Sequence, residues 1–481
     1  MNAYRRLDHS HALDRALEHA RALGKPLLVM EALRVGYRWA SDRHHTFILD
    51  GMREHAAALS GGPVGYYPYV EPQPGAGKGL VRALAARAAV VVTDDWPCFF
   101  LPRAIAAAAR DVSVPMEAVD TAGLLPMRAA TQAYPMAHAF RRALLKTLRP
   151  HLEHLPAPRP LDGVSLPVFA GVAPEVEARW PRATAERLGG EVTDLPIDHT
   201  VPRAPYVGGT TAARARWRAF LARGYADYAT LRSEPSSGAA SGLSPYLHYG
   251  HLSPFELVED LRQRHRTSWD ELVRVADARS PRWGWEEPAA TFVDELVTWR
   301  ELGLNHCARR ADYAEYGSLP DWARATLAEH AADPRPHLYS RAELEEARTA
   351  DPIWNAAQRQ LVAEGIIHNY LRMLWGKKIL EWSRTPEEAL DVMIELNNKY
   401  ALDGRDPNSY SGIFWTLGRY DRPWPQRPVF GTIRFMSSDS TKKKLDLTAY
   451  LAQWGPRPQL GLGLGPTPPQ KSPPARRGGR S

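Results

Sequence analysis

Two segments hold residue types that do chemistry, at spacings that bring them together. In FVDELVTWREL (292–302), Glu295 and Trp299 stand at i and i+4, which on a helix puts a carboxylate and an indole on one face. Either the indole is core and the carboxylate solvated, or the face lines a pocket that stacks a planar group and hydrogen-bonds its edge. In IIHNYLRMLWGKKILEW (366–382), Trp375 and Trp382 stand two helical turns apart, ~10 Å along the axis. That spacing serves a core stripe or an electron-hopping path. Arg372 on the same stretch needs an acid if it is buried, and Asp403 in LDGRDPN is a candidate. Lys377 and Lys378 face phosphate or water. Ser241-Gly242-Leu243-Ser244-Pro245 is a hydroxyl-bearing turn into a helix, whose free N–H groups suit a diphosphate, although Ser-Pro helix starts are common.

Other chemistries are excluded by count. PQPGAGKG (72–79) has Pro72 where a phosphate loop needs glycine and Gly79 where it needs Ser or Thr, so it reads as a turn before a helix. No His-Glu-x-x-His, Cys-x-x-Cys or Gly-x-Ser-x-Gly occurs, which leaves zinc and serine hydrolase readings unsupported and no metal site expected. Cys98 and Cys307 are too few for a disulfide framework.

The elements that must position these residues fall into two kinds. The 481-residue chain, 44% hydrophobic and 24% charged, is ordinary globular material for two or three domains. Up to about residue 120, helix and strand signals alternate. HALDRALEHARAL (11–23) ends at Gly24, and PLLVMEAL (26–33) reads as a buried strand. A helix at 43–59, a strand at 64–70, a helix at 78–87 and the run AVVVTD (89–94) follow, then a helix after Pro102 and VPMEAVD (114–120). This alternation predicts an α/β domain over 1–150, a parallel sheet with helices on both faces. It opens on a helix with no strand before it.

Residues 151–215 are proline-rich and read as a connection. Residues 216–454 read as all-α, with Ser253-Pro254-Phe255-Glu256 and Thr385-Pro386-Glu387-Glu388 as capping boxes, and they hold twelve of the 15 tryptophans. The net charge is +7, but Arg457, Lys471, Arg476, Arg477 and Arg480 supply five of it from 455–481, a Pro/Gly-rich stretch that reads as a disordered tail. No apolar run reaches membrane length and the start has no secretory core, so a soluble cytoplasmic protein is expected.

Taken in order, SGLSPYLHYGHLS (241–253), DELVTWRELGLNHC (294–307), HLYSRAELEEARTADPIWNAAQ (337–358), GIIHNYLRMLWGKKILEW (365–382) and LNNKYALDGRDPNSYSGIFWTLGRYDRPW (396–424) resemble the photolyase/cryptochrome family. Within it they are most similar to the class II cyclobutane pyrimidine dimer photolyases, which DPIWNA, WGKKILEW and LDGRDPN together distinguish. VVTDDWPCFFLP (91–102) also matches. The resemblance implies a Rossmann-like N-terminal domain, a helical FAD-binding domain, and light-driven repair of a dimer flipped out of duplex DNA. Excited reduced flavin passes an electron to the dimer, the ring splits and the electron returns.

Carried over motif by motif, Glu295 hydrogen-bonds the dimer's carbonyl edge, and Trp299, Met373 and Trp415 line its pocket. Asn397 sits by flavin N5, with Arg372 and Asp403 as the adjoining pair. Tyr228, Ser241, Gly242, Leu243, Ser244, Asn369, Arg405 and Asn408 complete the FAD site. Trp375, Trp354 and Trp382 form the photoreduction chain. Arg232 meets the gap in the duplex, and Arg419, Arg422, Arg427, Arg434, Lys442 and Lys443 meet phosphates.

The resemblance allows a second, antenna chromophore of deazaflavin or other type, and implies a monomer. The sequence departs from the class in two ways: no hydrophobic strand precedes the first helix, so either that strand is missing or the true start lies upstream, and Ser233 follows Arg232 where the class has Asn. The rival readings are a cryptochrome-like light sensor without repair and a flavin-free helical DNA-binding protein.

Overall fold

The computed structural model describes residues 1–274 and 282–456, so the expected tail lies, from residue 457 on, outside the described residues. Helix α1 (His11–Leu23) buries Leu13, Leu17 and Ala20 at helical spacing, and Gly24 ends it with a left-handed φ of 57°. Strand β1 (Leu28–Leu33) pairs in parallel with β2 (Gly65–Val70), with α2 (Asp42–Ala58) as the crossover. After α3 (Leu80–Ala85), strand β3 (Val91–Asp94) pairs in parallel with β4 (Met116–Val119) across α4 (Leu101–Asp111).

The expected single sheet is therefore two parallel pairs, with no ladder between β1 and β3 among the described residues. The first residues bridge them. The Met1 ammonium donates to the Met30 carbonyl at 2.9 Å, while the Asn2 and Ala3 N–H groups donate to the Asp94 carboxylate at 2.5 and 2.8 Å. The glycine-rich stretch is a turn before α3, as read. Its Gly75 and Gly77 N–H groups donate to Glu71 at 3.0 and 3.1 Å, so the chain's own carboxylate fills the cradle a phosphate would need.

From residue 216 to 454 the described residues form helices and no strand. Two of the larger hydrophobic clusters organise the packing. One joins Phe47 and Ile48 of α2 to Trp217, Phe292 and Val297. The other gathers Trp354, Trp375, Trp382 and Phe414. Fully buried Arg43 of α2 reaches between them. Its guanidinium donates to the carbonyls of Leu361 (3.2 Å) and Val362 (2.6 Å), in the last turn of the Pro352–Glu364 helix, and to Tyr400 (2.7 Å), which ends the Pro386–Tyr400 helix. Helix ends leave such carbonyls without intrahelical donors, so one side chain satisfies two helices at once.

Neither expected capping box forms in full. Ser253 starts the Pro254–His265 helix without a side-chain cap, and the Glu256 carboxylate that would return to it is instead held by Arg214 at 2.6 and 3.1 Å. Thr385 accepts the Glu388 N–H at 3.1 Å, but Glu388 returns its carboxylate to the Arg384 N–H rather than to Thr385.

Candidate functional site

The segment carrying Glu295 is not a plain α-helix. Asp294–Trp299 winds as a π-helix between the Ala289–Val293 and Arg300–Arg309 helices. Its two ends are fixed independently. Arg141, on α5 (Ala137–Thr147), grips Asp294 through two bonds of 2.6 and 2.7 Å. At the other end the buried Glu301 carboxylate accepts the Leu124 and Leu125 N–H groups at 2.6 and 3.1 Å. A widened turn accommodates both anchors, a device often found at functional sites. It buries Leu296, Val297 and Thr298 and leaves Glu295 and Trp299 half-buried. The indole is thus neither wholly core nor the carboxylate wholly solvated.

Arg232 stands opposite, its Nε 3.5 Å from Glu295 Oε1, with 37% and 36% of the two side chains exposed. Burial of its inner side pushes the Glu295 carboxyl up from its ordinary pKa, and Arg232 pulls it down. The guanidinium lies 5.9 Å from the ring of buried Tyr228, whose phenol burial also pushes up. The Arg232 carbonyl bonds His368 at 3.0 Å, at the cap of the Asn369–Trp382 helix, which ties this corner to the next group of residues.

On that helix Asn369 is exposed, Arg372 and Met373 are half-buried and Trp375 is buried. Arg372 pairs with Asp403 at 3.1 Å. The Asp403 carbonyl accepts the Ser409 hydroxyl at 2.8 Å, and the buried Asn397 carboxamide donates to Ser409 Oγ at 3.2 Å. Arg372, Asp403 and Asn397 therefore converge through one hydroxyl. Trp354 stacks parallel on Trp375 with ring centroids 6.5 Å apart, and meets Trp382 edge-on at 5.6 Å. All three indoles are buried, with Trp354 in the middle. Its Nε1 donates to the Trp375 carbonyl at 3.0 Å, and Trp375 Nε1 donates to Gln358 at 2.8 Å.

Trp415, half-buried beside the same core as Trp299, has the Lys377 ammonium 5.0 Å from its ring and Arg434 at 5.5 Å. The sequence reading had Lys377 facing phosphate or water. It is instead fully buried and donates to the Thr416 carbonyl at 2.7 Å, and burial lowers its pKa to about 7. Lys378 pairs with Glu381 at 2.7 Å. Nothing in the sequence marked Lys377 as buried, since its helix is buried over most of its circumference.

Two expected site residues are turned elsewhere. Arg405, buried at a φ of 65°, donates to Tyr249 at 2.9 Å and lies 3.0 Å from His44, so its guanidinium joins the helical part to α2. Arg419 is 3% exposed, packs 3.9 Å over Phe414 and donates to Ser318, which removes it from any surface that meets phosphate. Arg422, Arg427, Lys442 and Lys443 are exposed, and Arg434 is held by Asp421 at 3.0 Å.

Ser241 and Gly242 lie partly exposed beside Arg216, which donates to the Ser241 carbonyl at 2.7 Å. Leu243 is buried, and Ser244, at the start of the Ser244–His248 helix, and Asn408 are exposed. This donor set fits a flavin dinucleotide, with hydroxyls for the diphosphate and carboxamides beside an ion pair for a polar ring edge. Among the described residues no helix is long and apolar enough to cross a membrane, and no group of three or more His, Cys, Asp or Glu is placed to hold a metal.

No family model matches the chain. The deoxyribodipyrimidine photo-lyase of Methanothermobacter thermautotrophicus is 31% identical over 454 residues, covering 94% of this chain and 92% of that protein. The protein of the same name from Oryza sativa is 35% identical over 467 residues, 93% of this chain and 85% of that one. Among solved structures, a class III photolyase from Agrobacterium tumefaciens superposes with a TM-score of 0.65 at 17% identity, over 94% of this chain and 84% of that one. An archaeal photolyase from Sulfolobus tokodaii with two FAD molecules gives 0.62 at 15% identity, over 94% and 90%. A Synechocystis cryptochrome gives 0.64 at 15%, over 94% and 86%. At such identities the superpositions show the fold: an N-terminal α/β domain followed by a helical one.

Proposed function

Because the chain belongs to the photolyase/cryptochrome family, we propose that it is a class II deoxyribodipyrimidine photo-lyase that repairs cyclobutane pyrimidine dimers in DNA. The observation that carries this reading is that three indoles in contact are buried while the side chains expected to meet the dimer stay partly open. Trp354 stacks on Trp375 and meets Trp382 edge-on, all three buried, whereas Glu295, Trp299, Met373 and Trp415, which in this reading line the lesion pocket, are half-buried. A light sensor uses the first and has no need of the second.

In this reading reduced FAD, when bound, supplies the photoexcited electron that splits the dimer. The protein's residues do the rest. Trp299 and Trp415 stack the flipped bases, and Glu295 hydrogen-bonds their polar edge. Arg372 and Asp403 hold charge beside the cofactor, Asn397 is fixed by Ser409 to face it, and Ser241 to Ser244 take its phosphates. Trp382, Trp354 and Trp375 carry an electron inward to the cofactor site. Lys377 and Arg434 place positive charge against Trp415, on the wall where the dimer gains negative charge. Exposed Arg422, Arg427, Lys442 and Lys443 meet the backbone of the duplex.

The test is blue-light illumination of the chemically reduced protein with a dimer-containing oligonucleotide. Recovery of thymine absorbance near 260 nm is expected to need both light and FAD. A photoreducible flavoprotein that restores none would be a sensor, and a colourless protein that still binds DNA would be neither.

A further inference from the structure

An oxidised indole is an acid. Once the ring has lost an electron its N–H proton is mobile, and a base within hydrogen-bond reach takes it. The neutral radical left behind draws the next electron far less strongly than the cation does. A path through several indoles therefore needs their N–H groups held by acceptors that are not bases. We propose that Gln358 is such an acceptor: its carboxamide keeps the Nε1 proton on Trp375 while that ring is oxidised, so that the positive charge passes to Trp354 and Trp382 instead of stopping beside the cofactor. This rests on the reading above that the three indoles carry an electron inward.

Gln358 is fully buried, and its Oε1 accepts the Trp375 Nε1–H at 2.8 Å. Its Nε2 donates to the Glu345 carbonyl at 3.2 Å. An indole N–H only donates and a backbone carbonyl only accepts, so the two contacts fix which end of the amide faces Trp375. Trp354 Nε1 meets another weak acceptor, the Trp375 carbonyl, at 3.0 Å. Indoles elsewhere in the chain are treated differently. Trp39 donates to Glu395 at 3.0 Å, Trp217 to Asp260 at 2.8 Å, Trp283 to Asp294 at 3.2 Å and Trp424 to Asp421 at 3.1 Å, all of them carboxylates. The helices that meet at Gln358 carry carboxylates as well, each turned to another partner. Asp351 caps the Pro352–Glu364 helix at the Ile353 and Trp354 N–H groups, and Glu364 accepts from Gln360 at 3.2 Å. Glu345 holds Lys399 at 2.7 Å, and Glu381 holds Lys378 at 2.7 Å.

The electron passage balances with the Trp375 N–H bond intact. One electron leaves Trp375 for the cofactor site, Trp354 refills Trp375, and Trp382 refills Trp354. A thiol or enediol reductant from solution returns the last electron to Trp382. A carboxylate in place of the carboxamide would break this order. Its O–H bond would form as the Trp375 N–H bond broke, a neutral radical would remain at Trp375, and the electron would come back from the cofactor site.

Gln358→Glu puts that base in the same shape. Its neutral carboxyl can donate to the Glu345 carbonyl as the amide does, and burial raises the pKa, so the group is neutral at the low end and ionised at the high end of roughly pH 5 to 9. FAD-loaded protein is excited with a short blue pulse, and the indole radicals are followed by transient absorption, in which the cation absorbs to the red of the neutral radical. Relative to the wild type at the same pH, photoreduction in Gln358→Glu is expected to be near normal at pH 5 and to fall at least roughly 10-fold by pH 9, with a neutral radical in place of the first cation. A merely structural role would lower it equally at both ends. In the wild type the first indole radical is expected to be a cation whose passage outward runs at the same rate in light and heavy water. A pH-independent ratio in Gln358→Glu, or a neutral first radical or a slower passage in heavy water in the wild type, would each overturn the proposal. A wild type in which light produces no indole radical would instead overturn the electron path beneath it.

Discussion

Two side chains on one helix carry opposite demands. Trp375 has its Nε1 saturated by Gln358 and its face against Trp354, so replacing it interrupts the indole series without opening the pocket. Trp375→Phe is expected to slow photoreduction of oxidised FAD at least roughly 10-fold while chemically reduced protein repairs dimers nearly as well as the wild type. Transient absorption and a repair assay on the same preparation separate the two, and parallel loss of both would remove Trp375 from the electron path. Lys377, two residues on, is a buried cation whose neighbours are Thr416, Trp415, Asp421 and Arg434. Its pKa falls from an ordinary 10.5 to about 7 on folding, so the folded state binds fewer protons. Below pH 7 the ammonium is charged in both states and folding bears the whole cost of burying it; above about 10.5 that cost vanishes. Lys377→Met should therefore stabilise the protein by roughly 1–3 kcal/mol at pH 6 and much less at pH 10. Urea titrations at the two pH values check this, and equal effects at both would mean that the ammonium is already well solvated or paired.

The helices that hold the site depend on an element from the other half of the chain. Arg43 of α2 closes the C-termini of the Pro352–Glu364 and Pro386–Tyr400 helices, which carry Trp354 and Asn397. Arg43→Leu leaves several buried carbonyls without donors, and is expected to cost about 3–5 kcal/mol in chemical denaturation and to weaken FAD retention. Loss of stability with unchanged FAD affinity would show that the helix ends hold their places unaided. None of this contact was legible beforehand, because the donor and its acceptors are more than 300 residues apart and a lone arginine in an amphipathic helix has no pattern. Local order was legible: α1, its Gly24 stop and the alternation up to β4 follow from period and turn chemistry alone. The π turn was not, since one extra residue across Asp294–Trp299 leaves composition unchanged and arises from anchors at Arg141 and Leu124 that lie far off in sequence. The separation of β1–β2 from β3–β4 is likewise a matter of pairing between distant segments. Motif order brought the site residues to attention, but partners distant in sequence, His44 and Tyr249 for Arg405 and Ser318 for Arg419, set these two apart.

At the scale of the whole molecule, charge and exposure together decide what the protein's surface does. The +7 net charge counts every cation alike, whereas binding to a polyanion releases counterions only for cations that reach phosphate. Arg419 lies inside, against Phe414 and Ser318, while Lys442 and Lys443 stand exposed on the Ser438–Lys444 helix. The same formal charge thus predicts opposite experimental behaviour. Arg419→Gln should leave the dependence of DNA affinity on salt unchanged and lower the unfolding free energy, because it strips Ser318 and the Tyr313 carbonyl of their donor. Lys442→Gln with Lys443→Gln should leave stability within about 0.5 kcal/mol and flatten the log–log plot of affinity against salt by up to ~0.9 for each lysine that touches phosphate. Affinities measured by fluorescence anisotropy between roughly 50 and 200 mM salt resolve such a change. If the double variant keeps the full slope, the duplex does not lie across this helix, and the contacts must come from Arg422, Arg427 or the cations beyond residue 456. Truncation after residue 456 then decides between those two surfaces.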